Sequence, residues 1–67
     1  MGSYETNRRT IERHVSQGRR DIARQLEIIK ELRAQGYPTY RAERLLENFE
    51  RVQRWHEARL SGLQNPD

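Results

Sequence analysis

His14 and His56 are the only imidazoles in the chain, and no cysteine accompanies them. Paired histidines hold metal in helical bundles when glutamates stand at set spacing, as in Glu-x-x-His on facing helices. Here Glu12 precedes His14 by two residues, and Gln53 stands three before His56. No metal and no cofactor is therefore expected, and a seam histidine reads as bonded to a neighbour such as Gln25, Gln53 or a carbonyl. Nucleophilic catalysis has no thiol to use, and no Ser/His/Asp set is suggested. Carboxylates are interleaved with arginines: Glu47–Arg51 and Glu50–Arg54 at i,i+4, Arg9–Glu12 and Arg24–Glu27 at i,i+3. A carboxylate beside an arginine stays ionised and makes a poor acid catalyst. The chain is not expected to be an enzyme.

The remaining candidate chemistry is phosphate recognition. The chain carries twelve Arg and one Lys against eight Glu and two Asp, for a formal net charge of +3. Arginine's planar fork suits phosphate, although a G- and C-rich genome produces the same bias. Lys30, Arg33, Arg41 and Arg44 are cancelled by Glu27, Glu31, Glu43 and Glu47, so the excess lies with the other arginines. Arg8, Arg9, Arg13, Arg19, Arg20 and Arg24 are the candidate phosphate contacts, with Trp55 available to stack on a base. Trp55 has two blander roles open to it: packing across a dimer, or lying beneath Arg51 and Arg59 as a cation–π cap.

What positions these residues is a pair of helices. The chain of 67 residues breaks at "AQGYPTY", where Gly36 and Pro38 stop one helix and Thr39 caps the next. With Gly36 as the residue after the cap, Tyr37 follows it and Leu32 lies one turn back, as a Schellman ending requires. "RLSGLQNPD" repeats the signal, with Gly62 in the same role ahead of Asn65-Pro66. The reading is all-α: an antiparallel two-helix hairpin, helix 1 about 6–35 and helix 2 about 39–61, in a single domain with 1–5 and 63–67 frayed.

Apolar residues recur at alternating spacings of four and three, a heptad pattern. On helix 1 the seam reads Ile11, Val15, Gly18, Ile22, Gln25 or Leu26, Ile29, Leu32. On helix 2 it reads Ala42, Leu45, Phe49, Val52, His56, Leu60 (or Arg59), Leu63. Folding at Tyr37 sets Ile29 against Leu45, Leu26 against Phe49, Ile22 against Val52, and His14 near Leu60. It also sets Gly18 against His56. A glycine inside a helix costs about 0.5–1 kcal/mol relative to alanine. The heptad phase runs through Gly18 unchanged, so a packing role is expected: room for the His56 ring. A phosphate loop needs a strand before it and further glycines, and has neither.

Hydrophobic residues make up 33% and charged residues 34%. A chain this short and lean cannot build a large core, and without cysteine it has no disulfide to help. Two rods leave their seam open on one side, and Ile28 and Leu46 fall at one level on the flank. A second copy is the expected remedy, giving a homodimeric four-helix bundle of coiled-coil type. Its core and interface residues are expected to be Ile22, Ile28, Leu46, Phe49, Val52, Trp55 and His56. There is no apolar run of the ~20 residues that cross a bilayer and no signal-peptide core. A cytoplasmic protein without membrane contact is expected.

The pattern His14-Val15, Gly18, Ile22-Ala23-Arg24-Gln25, Gly36, Thr39, Ala42, Leu45-Leu46, Phe49-Glu50, Gln53, His56, Arg59-Leu60 resembles a group of short alphaproteobacterial hypothetical proteins of unknown function, themselves expected to be helical. The resemblance spans about residues 14 to 60 and implies a natural, bacterial sequence, with no catalytic or binding residue carried over. In length and architecture alone the hairpin resembles the small RNA-binding hairpin dimers of plasmid copy control, which transfers no function. Two functions are open from sequence. One is a non-enzymatic helical interaction module that binds itself and an unidentified protein partner. The alternative is a small RNA- or DNA-binding regulator using the Arg-rich open end.

Overall fold

A computed structural model describes the backbone of residues 3–64 and the side chains of residues 7–62. Two helices, α1 (Ser3–Ala34) and α2 (Tyr40–Gln64), pack against each other, and no strand occurs among the described residues. The hairpin is a rod of 53 × 17 × 13 Å with a radius of gyration of 15.5 Å. A compact chain of this length would have about 11 Å. No helix is long and apolar enough to cross a membrane among the described residues.

The turn forms as its residues dictate. Gly36 takes a left-handed φ of 77°, which costs glycine nothing and other residues about 1–2 kcal/mol. The Tyr37 N–H then donates to the Leu32 carbonyl at 2.9 Å, and the Gly36 N–H to the Arg33 carbonyl at 3.0 Å. These are the two bonds of a Schellman ending. Thr39 precedes α2; its carbonyl accepts the first helical bond from Glu43 N–H at 2.8 Å, while its hydroxyl donates to Glu43 Oε2 at 3.1 Å. Arg33 Nη2 donates to the same carboxylate at 2.7 Å, tying the two helices across the turn.

Gly62 behaves differently from Gly36. Helix α2 continues through it to Gln64, and Gly36 is the only described residue with positive φ. Glycine permits a left-handed cap without compelling one, so the expected stop near residue 61 is not a stop. Helix α1 likewise starts earlier than expected, at Ser3. Residues 1–2 and 65–67, part of the expected frayed ends, lie outside the described residues, as do the side chains of Tyr4 and Leu63.

The seam of α1 is close to expectation, with Ile11, Val15, Gln25 and Ile29 buried and Gly18, Ile22 and Leu32 half-buried. Between the two candidates at one position, Gln25 goes in and Leu26 stays 50% exposed. Helix α2 departs from the predicted seam. Leu45 and Val52 are 44% and 51% exposed, and their places are taken by half-buried Leu46 and by Gln53, which is 6% exposed. The helix is turned by roughly 35° about its axis relative to the apolar reading, at 100° per residue.

Hydrogen bonding accounts for the turn. Gln53 Nε2 donates to the Val15 carbonyl at 2.9 Å, and Gln25 Nε2 donates to the Ala42 carbonyl at 2.9 Å. Each helix thus sends one buried amide to the backbone of the other. A helical carbonyl has a second lone pair to accept it. The expected register is also one turn out. His14 meets His56 rather than Leu60, and Gly18 meets Gln53 rather than His56. A Cβ added at Gly18 would collide with Gln53 Oε1 and sit 2.7 Å from its Cδ. The glycine makes room, as expected, but for an amide and not an imidazole.

Candidate functional site

One side of the hairpin is a shallow, mainly apolar groove. His14, Gln17, Gly18 and Asp21 from α1 and Phe49, Val52, Gln53 and His56 from α2 line a volume of ≈350 Å³. Toward the open end a second hollow of ≈290 Å³ is lined by Asn7, Thr10, Ile11, His14, Trp55, His56 and Arg59. His14 and His56 belong to both, so the two rings form the ridge between them. Their centroids are 5.0 Å apart at 48°, and Trp55 lies 5.3 Å from His56 on the far side. The Arg59 guanidinium covers the Trp55 ring at 5.0 Å, which is the cation–π cap, made by one of its two candidate arginines.

The ridge has little means for chemistry. Nδ1 of His56 is buried with no hydrogen-bond partner among the described residues, contrary to the expectation of a bonded seam histidine. Ring packing has taken the place of the bond. No group of three or more His, Cys, Asp or Glu that could hold a metal occurs among the described residues. Asp21, the carboxylate of the groove, accepts from Gln17 Nε2 at 3.0 Å.

The expected interface residues separate into two sets. Phe49, Val52 and His56 line the groove, and Trp55, 55% exposed, extends it. Ile22 and Leu46 are half-buried at the seam, and Ile28 is half-buried as well. Ile28 and Leu46 do not share a flank. At 100° per residue Ile28 falls on the side of His14 and Asp21, whereas Leu46 falls toward Glu43, Glu50 and Glu57.

That second side is ionic. Arg33 pairs with Glu43 at 2.7 Å, and Arg19 with Glu57 at 3.9 Å. Arg8 pairs with Glu12 at 3.3 Å along α1. Of the six candidate phosphate contacts, Arg8 and Arg19 are therefore occupied by carboxylates. Arg9, Arg13, Arg20 and Arg24 are exposed and have no carboxylate partner among the described residues; Arg20 donates to the neutral Gln17 amide at 3.4 Å. Trp55, on the groove side, is not beside them.

Gln53 and Gln25 are the residues whose positioning role apolar periodicity undervalues. The signal available was the small residue opposite each: Gly18 faces Gln53, and Ala42 offers its carbonyl to Gln25.

Fold and surface define a two-helix antiparallel hairpin with an apolar groove on one flank and an ionic flank opposite. No protein-family model matches the chain, and no curated protein or solved structure matches it.

Proposed function

We propose that this protein is a non-enzymatic interaction module whose first partner is a second copy of itself, the two grooves closing on each other in a four-helix bundle. Exposed area is the observation that carries the reading. The accessible surface is 5547 Å² for a mass of 8.1 kDa. A folded monomer of that mass exposes about 4,500 Å². The surplus of roughly 1,000 Å² is close to the ~800 Å² per partner that a stable interface buries.

The face of α2 that carries the groove supports the same occupant. Leu45, Val52 and Trp55 stand about half-exposed beside half-buried Phe49, a run of anchors at i, i+4, i+7 and i+10 on one helix. Aromatic anchors of this kind dominate interface energetics. Among the described residues the core meanwhile has only three buried apolar side chains, Ile11, Val15 and Ile29, each worth about 1.5–3 kcal/mol. That is little against the entropy of ordering two long helices. Pairing two grooves adds the missing core.

Sedimentation equilibrium at micromolar concentration tests the proposal. Twice the chain mass is expected, with helix content falling on dilution. A stable, fully helical monomer at those concentrations overturns it.

A further inference from the structure

The arginines of α1 are sorted by their partners, and the sorting leaves one continuous feature. Arg8 and Arg19, held by Glu12 and Glu57, are neutralised pairs. Arg9, Arg13, Arg20 and Arg24 are exposed without a carboxylate partner among the described residues. At 100° per residue these four lie within about 60° of one another and roughly 170° from the buried seam. They form a straight stripe down the outward face of α1, about 22 Å long at 1.5 Å per residue. Ser16 and Gln17, both exposed and uncharged, border the gap between Arg13 and Arg20 on either side. Glu27 and Glu31 fall on the same face one and two turns further on, and end the stripe toward the loop.

We infer that this stripe binds the sugar–phosphate backbone of a nucleic-acid duplex. One strand of a duplex carries a phosphate every 3.4 Å of axis, so the stripe runs beside about six phosphates. Guanidinium forks match phosphate oxygens two at a time. Single-stranded nucleic acid is a poorer fit, because its binders add aromatic platforms to the basic groove. The exposed Trp55 belongs to the hollow beside His14 and His56, turned away from the stripe. A lipid surface is a poorer fit too. Membrane-surface helices set large apolar side chains beside their cations, whereas Leu26, the exposed large apolar residue described on α1, lies about 130° around the helix from the stripe. Recognition through backbone phosphates alone carries no base sequence.

The inference does not depend on self-association: the stripe lies about 100° around α1 from the groove-lining residues and meets them where Arg20 donates to Gln17. Sedimentation reads one and duplex titration the other.

The test is fluorescence anisotropy with a labelled mixed-sequence duplex of about twenty base pairs, as DNA and as RNA, in 50 and 200 mM salt. Four phosphate contacts predict a log–log salt slope of about −3.6, which is roughly a hundredfold weakening over that range. Arg13→Gln/Arg20→Gln/Arg24→Gln should lower affinity at least tenfold at 50 mM and flatten the slope by about 3. Arg8→Gln/Arg19→Gln, which removes the paired arginines, should leave the slope near −3.6. Circular dichroism confirms that each exposed-face variant keeps its helix. Absence of binding at 50 mM overturns the inference, as does a slope that the triple variant leaves unchanged. Tighter arginine-dependent binding to phosphatidylserine vesicles, or to poly-glutamate, than to either duplex overturns it in favour of those partners.

Discussion

Gln53 lies across Gly18, and from there its Nε2 donates to the Val15 carbonyl at 2.9 Å and to Glu57 Oε2 at 3.2 Å. Both amide hydrogens are used, while Oε1 rests against the glycine without a hydrogen-bond partner. A side chain at position 18 and the amide at 53 compete for one space.

Gly18→Ala therefore sets two effects against each other. Alanine gains about 1 kcal/mol of helix propensity. The methyl must displace a flexible amide, forfeiting a bond worth about 1 kcal/mol and stranding buried polar atoms at about 1–3 kcal/mol. A net loss near 1 kcal/mol is expected in urea denaturation. In a Gln53→Ala background the competitor is gone, and Gly18→Ala should stabilise by up to about 1 kcal/mol. Such a sign change marks residues in contact. A higher melting temperature for Gly18→Ala with Gln53 intact would contradict the packing.

The other two described glycines should respond in opposite directions. Gly36 has open space around it but a φ of 77°, so Gly36→Ala should cost about 1–2 kcal/mol through conformation alone. Gly36→Asn should cost less. Gly62 is exposed, helical and unobstructed, so Gly62→Ala should be neutral or stabilise by up to about 1 kcal/mol. Thermal melts of the three variants separate these outcomes.

The local turn was legible in the sequence and the register was not. Gly36, Pro38 and Thr39 act through backbone geometry within a few residues, so their types name the structure they make. The α2 seam depends on which of two neighbouring heptad phases wins. Leu45 and Val52 vote for one phase by hydrophobicity, and Gln53 for the other through a bond to a carbonyl on the partner helix. An apolar pattern cannot register that bond, since the acceptor is backbone and every residue has one. The candidate surfaces were legible as residue types. Their separation into a groove, an ionic flank and an unpaired stripe required the rotation of α2.

Replacing both glutamines with leucine tests what they contribute. The Val15 and Ala42 carbonyls keep their helical partners, so no buried acceptor is orphaned. Gln25→Leu/Gln53→Leu should therefore keep its stability within about 1 kcal/mol, or gain. What it should lose is uniqueness, as polar seam residues often specify register. Amide resonances of the double variant should broaden or multiply in a heteronuclear NMR spectrum. A single sharp set would show that the register rests elsewhere.

Charge placed on the two flanks should separate folding from assembly. Val52 is 51% exposed in the groove, so Val52→Glu should yield the monomer mass in sedimentation, with helix content reduced only to that of the wild-type chain at dilutions where it has dissociated. Leu46 is half-buried at the seam between the helices. Leu46→Glu puts a carboxylate where it has no partner, and should lower stability by about 2 kcal/mol or more.

The buried apolar side chains of α1 are unevenly spread: Ile11 and Val15 lie toward the open end, Ile29 lies near the loop, and between them Gln25 is the one buried side chain, Ile22 and Ile28 being half-buried. That interval covers about 21 Å of helix at 1.5 Å per residue. The rod is thus fastened at two ends with a polar waist, and local opening follows the density of apolar contact. In hydrogen-exchange terms, the amides of residues 19–26 should exchange faster than those near Val15 and Ile29. The hairpin would breathe at its middle while both ends stay closed.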